Sequence, residues 1–106
     1  MARSVRFSST ARQDVHDIVA YIHEDSPANA LQWRQRLYEK LKILRSERVS
    51  FALAPENEFA RCEVRQFLFG RYRVLYTTRE EEVFILTVRH GSRIFMSGEE
   101  IDRVDT

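Results

Sequence analysis

Cysteine, glycine, proline and lysine are all scarce in this chain, and each scarcity excludes something. A single cysteine, Cys62, among 106 residues rules out an intramolecular disulfide, and no Cys/His spacing for a metal site surrounds it. That thiol reads as buried or incidental. With three glycines and two prolines there is no flexible linker, no low-complexity tract and no internal repeat. Long apolar runs are also missing: the longest stretches, such as Val83 to Val88, fall far short of the ~20 residues that span a bilayer. The opening Met1-Ala2-Arg3-Ser4 leads into a strand pattern without the apolar core of a secretory signal. A soluble cytoplasmic protein with no membrane role, no cofactor and no metal is therefore expected.

What is present is enough for one core. An apolar fraction of 43% with 11% aromatics suits a folded chain, and at this length the expectation is a single domain over residues 1–106. The net charge of +1 conceals a bias, because Lys40 and Lys42 are the only lysines among 17 basic residues. Arginine binds carboxylate and phosphate through two parallel hydrogen bonds and stays charged when partly buried, which suits a surface for an acidic partner. High-GC codon usage accounts for the same bias equally well.

The periodicity then supplies the elements. Ser4 to Ser8 alternates as a short strand. Thr10-Ala11-Arg12-Gln13 has the form of a capping box, and Ala11, Val15, Ile18, Val19 and Ile22 make the apolar stripe of a helix ending near Asp25. Ser26 as cap and Pro27 at the first helical position open a second helix, whose stripe is Ala30, Trp33, Leu37, Leu41 and Leu44. So short a break predicts an antiparallel helical hairpin, with Trp33 in the core. From Ser46 to Ala60 the pattern lapses into a loop, although Val49, Phe51 and Leu53 alternate. Three strand patterns follow, Glu63 to Phe69, Arg71 to Thr78 and Val83 to Arg89, separated by Gly70 and by the charged turn Arg79 to Glu82. In the last of them Phe84, Leu86 and Val88 are expected on one face and Val83 and Ile85 on the other. Ser97-Gly98-Glu99-Glu100 forms another capping box and predicts a short terminal helix through Val104.

The fold class is thus α+β: a helical hairpin packed on a small antiparallel sheet, in the order β-α-α-β-β-β, with a short C-terminal helix. This order, with the stretches Ala11 to Ile22, Ser26 to Ala30, Gly70 to Tyr76 and Ile85 to Arg93, resembles the RelE/ParE superfamily of toxin–antitoxin toxins from Val5 through Arg93. The resemblance is closest to its ParE branch, because the segment after Arg93 reads Ile94-Phe95-Met96 where a RelE-type nuclease carries a tyrosine. Tyr21, Tyr38, Tyr72 and Tyr76 all lie in earlier elements.

A ParE-like toxin implies binding and inhibition of DNA gyrase, and neutralisation by a cognate antitoxin in a hetero-oligomer. A ribbon-helix-helix antitoxin with a disordered C-terminal tail is the expected form. The alternative, a RelE-like ribosome-dependent endoribonuclease, would need cations on the phosphate and a titratable group, for which Arg73, His90 and Arg93 are the candidates and Glu63 a weaker substitute base. Target-binding candidates are Arg71, Arg73, Arg89, His90 and Arg93. Antitoxin-binding candidates are Trp33, Leu37, Leu41, Phe84 and Leu86. Each has a plainer reading beside it: Arg73 in a buried pair with Glu63 or Asp17, His90 as a strand-end cap, Arg71, Arg79 and Arg103 as solvated charges, and the Trp33–Leu37 stripe as core.

Overall fold

The computed structural model describes residues 3–93 and 95–104, so Met1, Ala2 and Ile94, the first residue of the Ile94-Phe95-Met96 triplet, lie outside the described residues. The elements are β1 (Ser4–Phe7), α1 (Ser9–Asp25), α2 (Pro27–Leu41), β2 (Arg65–Phe69), β3 (Tyr72–Arg79), β4 (Glu82–His90) and α3 (Gly98–Asp102), with 3-10 turns at Lys42–Arg45 and Pro55–Glu58. This is the α+β order expected from the sequence.

The first helix begins two residues earlier than the Thr10 box implies. Ser8 is the cap: its hydroxyl accepts from the Ala11 N–H at 3.0 Å and donates to the Leu86 carbonyl at 2.8 Å. A cap that also ties the helix to the sheet outcompetes one that does not, so Thr10 falls inside the first turn and Gln13 donates to Asp17 instead, at 2.8 Å. Between the helices Ser26 acts twice. Its N–H closes α1 on the Ile22 carbonyl at 3.0 Å, and its hydroxyl accepts from the Asn29 N–H at 3.2 Å to open α2. A single-residue break leaves the two helices side by side and antiparallel.

The sheet order is β1-β4-β3-β2. Strands β2 to β4 form the antiparallel meander read from the sequence, and at the far edge β1 lies parallel to β4. A parallel neighbour requires a long connection, and here the helical hairpin, the segment after it and the strands β2 and β3 all intervene between β1 and β4. Arg3 locks this edge, its guanidinium donating to the carbonyls of Leu44 and Ser46 at 3.0 Å and of Val49 at 3.3 Å. In the Ser46–Ala60 segment the alternation yields one bridge, Leu53 to Arg65, flanked by Gln66 N–H to Ala52 O at 3.0 Å. The β2–β3 turn uses Gly70 at φ +56°, a left-handed conformation that costs glycine little, whereas Glu80 in the β3–β4 turn adopts φ +50° at a steric cost.

A bulge decides which residues share a face. Leu75 pairs with Thr87 and Tyr76 with Ile85, leaving Leu86 as the extra residue of β4. The parity therefore flips after Leu86, and Val88 joins Val83 and Ile85 against the helices rather than Phe84 and Leu86 as simple alternation predicted. Just past the bulge, Asp14 of α1 accepts from the Val88 N–H at 3.1 Å and from the Thr87 hydroxyl at 2.5 Å. One core fills the space between sheet and hairpin, with Ala11, Val15, Leu37, Leu41, Leu44, Phe67, Val74 and Tyr76 among its members. A second, smaller core lies on the opposite face, where Val64, Leu75 and Leu86 meet Met96, Ile101 and Val104.

Candidate functional site

The same bulge that turns Val88 inward turns Arg89 outward, onto the face away from the helices. There its Cα partner across the ladder is Arg73, so two guanidinium groups stand side by side. Two like charges at a non-polar face need an anion between or beside them. Glu56, on the 3-10 turn Pro55–Glu58, provides it: its carboxylate accepts from Arg73 Nη1 at 3.1 Å and Nη2 at 2.8 Å, a bidentate pair, and from the Met96 N–H at 3.2 Å. Gln66 Oε1 takes a further Arg73 hydrogen bond at 2.8 Å, and the Phe95 ring lies over the guanidinium at 5.2 Å. The plainer expectation for Arg73, a buried ion pair, is met with Glu56 as the partner in place of Glu63 or Asp17. Glu63 sits 2.9 Å from Arg65, and Asp17 accepts from Gln13 on its own helix.

The electrostatics follow from burial. Burial alone would raise the Glu56 carboxyl, yet the hydrogen bonds from Arg73, its own backbone and Met96, with the charge of Arg73, outweigh it and hold the group below its ordinary 4.5. Arg89 is held below its usual value by burial and then by the like charges of Arg93 and Arg73, which Glu56 and Glu100 partly counter. Arg73 and Arg89 are each only 5% exposed. Both side chains form part of the interior.

The exposed cations lie just beyond them. The turn after β4 is tied to the β2–β3 turn by a 2.7 Å hydrogen bond from the Gly91 N–H to the Arg71 carbonyl, and a side chain at Gly91 would press on that same oxygen at 3.3 Å. This brings the exposed Arg71 and Arg93 to one end of the sheet. His90, half-buried, points to the helix face, where its ring meets Tyr72 edge-on at 5.5 Å; its Nδ1 accepts from the Ser92 N–H at 3.0 Å, with the Ser92 hydroxyl at 2.6 Å. Burial raises the Tyr72 hydroxyl above its usual value, as does Tyr21, while Arg71 opposes them. The three groups considered for a nuclease are thus apart: Arg73 is engaged and buried on one face, His90 is on the other, and only Arg93 is open.

The apolar candidates divide in the same way. Leu37 (0% exposed), Leu41 (3%), Leu86 (1%) and Phe84 (5%) are consumed by packing within the chain, with Phe84 held between the guanidiniums of Arg6 at 5.1 Å and Arg79 at 5.0 Å. Trp33 differs. It is half-buried, meets Phe69 at 5.8 Å and Tyr72 at 5.3 Å in edge-on geometry, and lines a groove of about 580 Å³ shared with Arg36 and Arg71. Glu56, Phe69, Tyr72 and Arg36 were not singled out in the sequence. Arg36 carried a signal, being one helical turn from Trp33, whereas nothing local marks Glu56.

Among the described residues no group of three or more His, Cys, Asp or Glu side chains is placed to hold a metal ion, and no helix is long and apolar enough to cross a membrane. In comparison with known proteins, the profile of the ParE toxin of the type II toxin–antitoxin system parDE matches residues 5–95. Among solved structures the chain is similar to one described as the chromosomal ParDE TA system from P. aeruginosa, at 19% identity and a TM-score of 0.66, covering 84% of this chain and 96% of that one. That likeness is one of fold. No curated protein matches the chain.

Proposed function

This chain belongs to the ParE toxin family of type II toxin–antitoxin systems, in which toxin and cognate antitoxin form a pair, and from that premise we propose that it acts in the cytoplasm by binding and inhibiting DNA gyrase. The observation that carries the binding reading over a catalytic one is the fate of Arg73. A phosphate-stabilising cation must reach solvent, and this one is buried against Glu56 with both terminal nitrogens engaged. Binding needs no such assembly. Arg71 and Arg93, exposed on adjoining turns with His90 between them in sequence, supply a cationic end suited to carboxylate or phosphate groups of a target. The cognate antitoxin is proposed to be a ribbon-helix-helix protein with a disordered tail that folds onto the toxin.

Purified protein added to a gyrase supercoiling reaction should abolish supercoiling, while a translating-ribosome reaction with the same protein should leave messenger RNA intact. Messenger cleavage at the ribosomal A site, lost on Arg73→Ala with the fold intact, would replace this reading with the nuclease one.

A further inference from the structure

Between α1 and α2 lies a cavity of about 370 Å³, lined by Arg12, Val15, His16 and Val19 of the first helix and by Arg34 and Tyr38 of the second. Helical spacing brings them together. Arg12 and His16 stand one turn apart on α1, as do Val15 and Val19, and Arg34 and Tyr38 stand one turn apart on α2. The valines belong to or pack against the main core while Arg12, His16 and Arg34 are exposed, so the cavity has an apolar floor and a polar rim. None of its lining residues is acidic, and among the described residues no carboxylate pairs with Arg12, His16 or Arg34. The nearest carboxylates of α1 are engaged elsewhere: Asp14 accepts from Thr87 and Val88, and Asp17 from Gln13. Tyr38 meets the Phe7 ring at 5.6 Å, and the Arg34 guanidinium lies over the tyrosine at 5.4 Å. One cation is thus placed before any ligand arrives, which reduces the ordering cost of binding.

Two guanidiniums without a carboxylate, an imidazole and a phenol around one space offer more donors than the two oxygens of a carboxylate can use. They match the three terminal oxygens and the charge of about −1.5 to −2 of a phosphate monoester. We propose that this cavity binds a small phosphorylated ligand of about mononucleotide size. Its phosphate sits between Arg12 and Arg34, with His16 and Tyr38 as further donors, and its apolar or aromatic part rests on Val15 and Val19. The volume falls in the range of roughly 300–1,000 Å³ usual for small-molecule sites. A nucleic-acid strand fits less well, because its backbone calls for a continuous cationic track, and here Asp17 follows His16 and Glu39 follows Tyr38. None of these residues belongs to the cationic end formed by Arg71 and Arg93, and the inference does not rest on the gyrase reading.

The test is calorimetric titration of the full chain with adenosine monophosphate as the probe, and with inorganic phosphate and adenosine as its two halves. Adenosine monophosphate should bind at least about tenfold more tightly than adenosine, since the charged hydrogen bonds carry the affinity. Amide shifts in nuclear magnetic resonance should change at residues 12–19 and 34–38. An Arg12→Gln/Arg34→Gln double variant, altered at exposed positions, should keep its melting temperature and weaken adenosine monophosphate on the order of 30-fold while leaving adenosine unchanged. Each single variant should weaken it by about fivefold, which keeps the test decisive if the double variant does not fold. The proposal is overturned if neither adenosine monophosphate nor inorganic phosphate binds the wild-type chain, or if the folded variants bind as tightly as wild type. Shifts confined to the surroundings of Arg71 and Arg93, or a single-stranded oligonucleotide that binds more tightly than the mononucleotide and displaces it, would overturn it as well.

Discussion

On the face turned toward α1 and α2, the sheet meets side chains that recur at helical and strand spacing: Leu37, Leu41 and Val15 against Val74, Tyr76 and Ile85. On the face turned away it meets aperiodic chain, the 3-10 turn Pro55–Glu58 and the segment from Phe95 to Val104, and the cover includes a buried ion pair. The first face is held by area removed from water, at about 25 cal/mol per Å². The second has a smaller apolar core and is fixed by a carboxylate that joins three pieces of chain, since Glu56 binds Arg73 of β3 and the Met96 amide while sitting on its own turn. A burial that depends on one polar group is specific in geometry and fragile to that group's loss.

The second face is disrupted most severely by removing Glu56. Glu56→Ala strands a buried guanidinium and should cost about 3–5 kcal/mol, as much as or more than Leu37→Ala on the helix face at about 2–5 kcal/mol, in chemical denaturation. If both faces relied on apolar area alone, Leu37→Ala would be far the worse. Next in size is Gly98→Ala. A Cβ there would stand 2.4 Å from the Phe59 carbonyl, so α3 must shift; a loss of about 1–3 kcal/mol is expected, with amide exchange rising in α3 while α1 and α2 stay protected.

The smallest effect is a dependence on pH that belongs to the second face. Because the folded Glu56 carboxyl lies below 4.5, the unfolded chain takes up its proton first as pH falls. Its stabilisation is therefore complete above the ordinary value and is lost as pH drops through the folded one. Glu56→Gln should flatten that acid-side slope in denaturation midpoints measured from neutral pH downward. An unchanged slope would assign acid lability to other carboxylates.

The helix face was legible because its signals are local. Ser26-Pro27 marks the hairpin break, the Ala30–Leu44 stripe marks the buried side of α2, and Gly70 marks the turn into β3. The second face was not, for three physical reasons. The extra residue Leu86 reverses strand parity, and one residue in an apolar run gives no sign of being a bulge. Glu56 reaches Arg73 across 17 positions of chain, from a stretch without periodicity. Ser8 wins the cap from Thr10 through a hydrogen bond to Leu86, 78 residues away. For the candidate cations residue type was legible and exposure was not: Arg71 and Arg93 are exposed, while Arg73 and Arg89 are buried, which no local pattern shows.

In the proposed function the open cations Arg71 and Arg93 bind the target, while the buried Arg73 and Arg89 hold the fold. A gyrase supercoiling titration comparing the wild-type chain with an Arg71→Glu/Arg93→Glu double variant tests it most directly, with thermal unfolding recorded for both. The expected result is inhibition by the wild type and its loss in the double variant at an unchanged melting temperature. Undiminished inhibition by the folded double variant would contradict it.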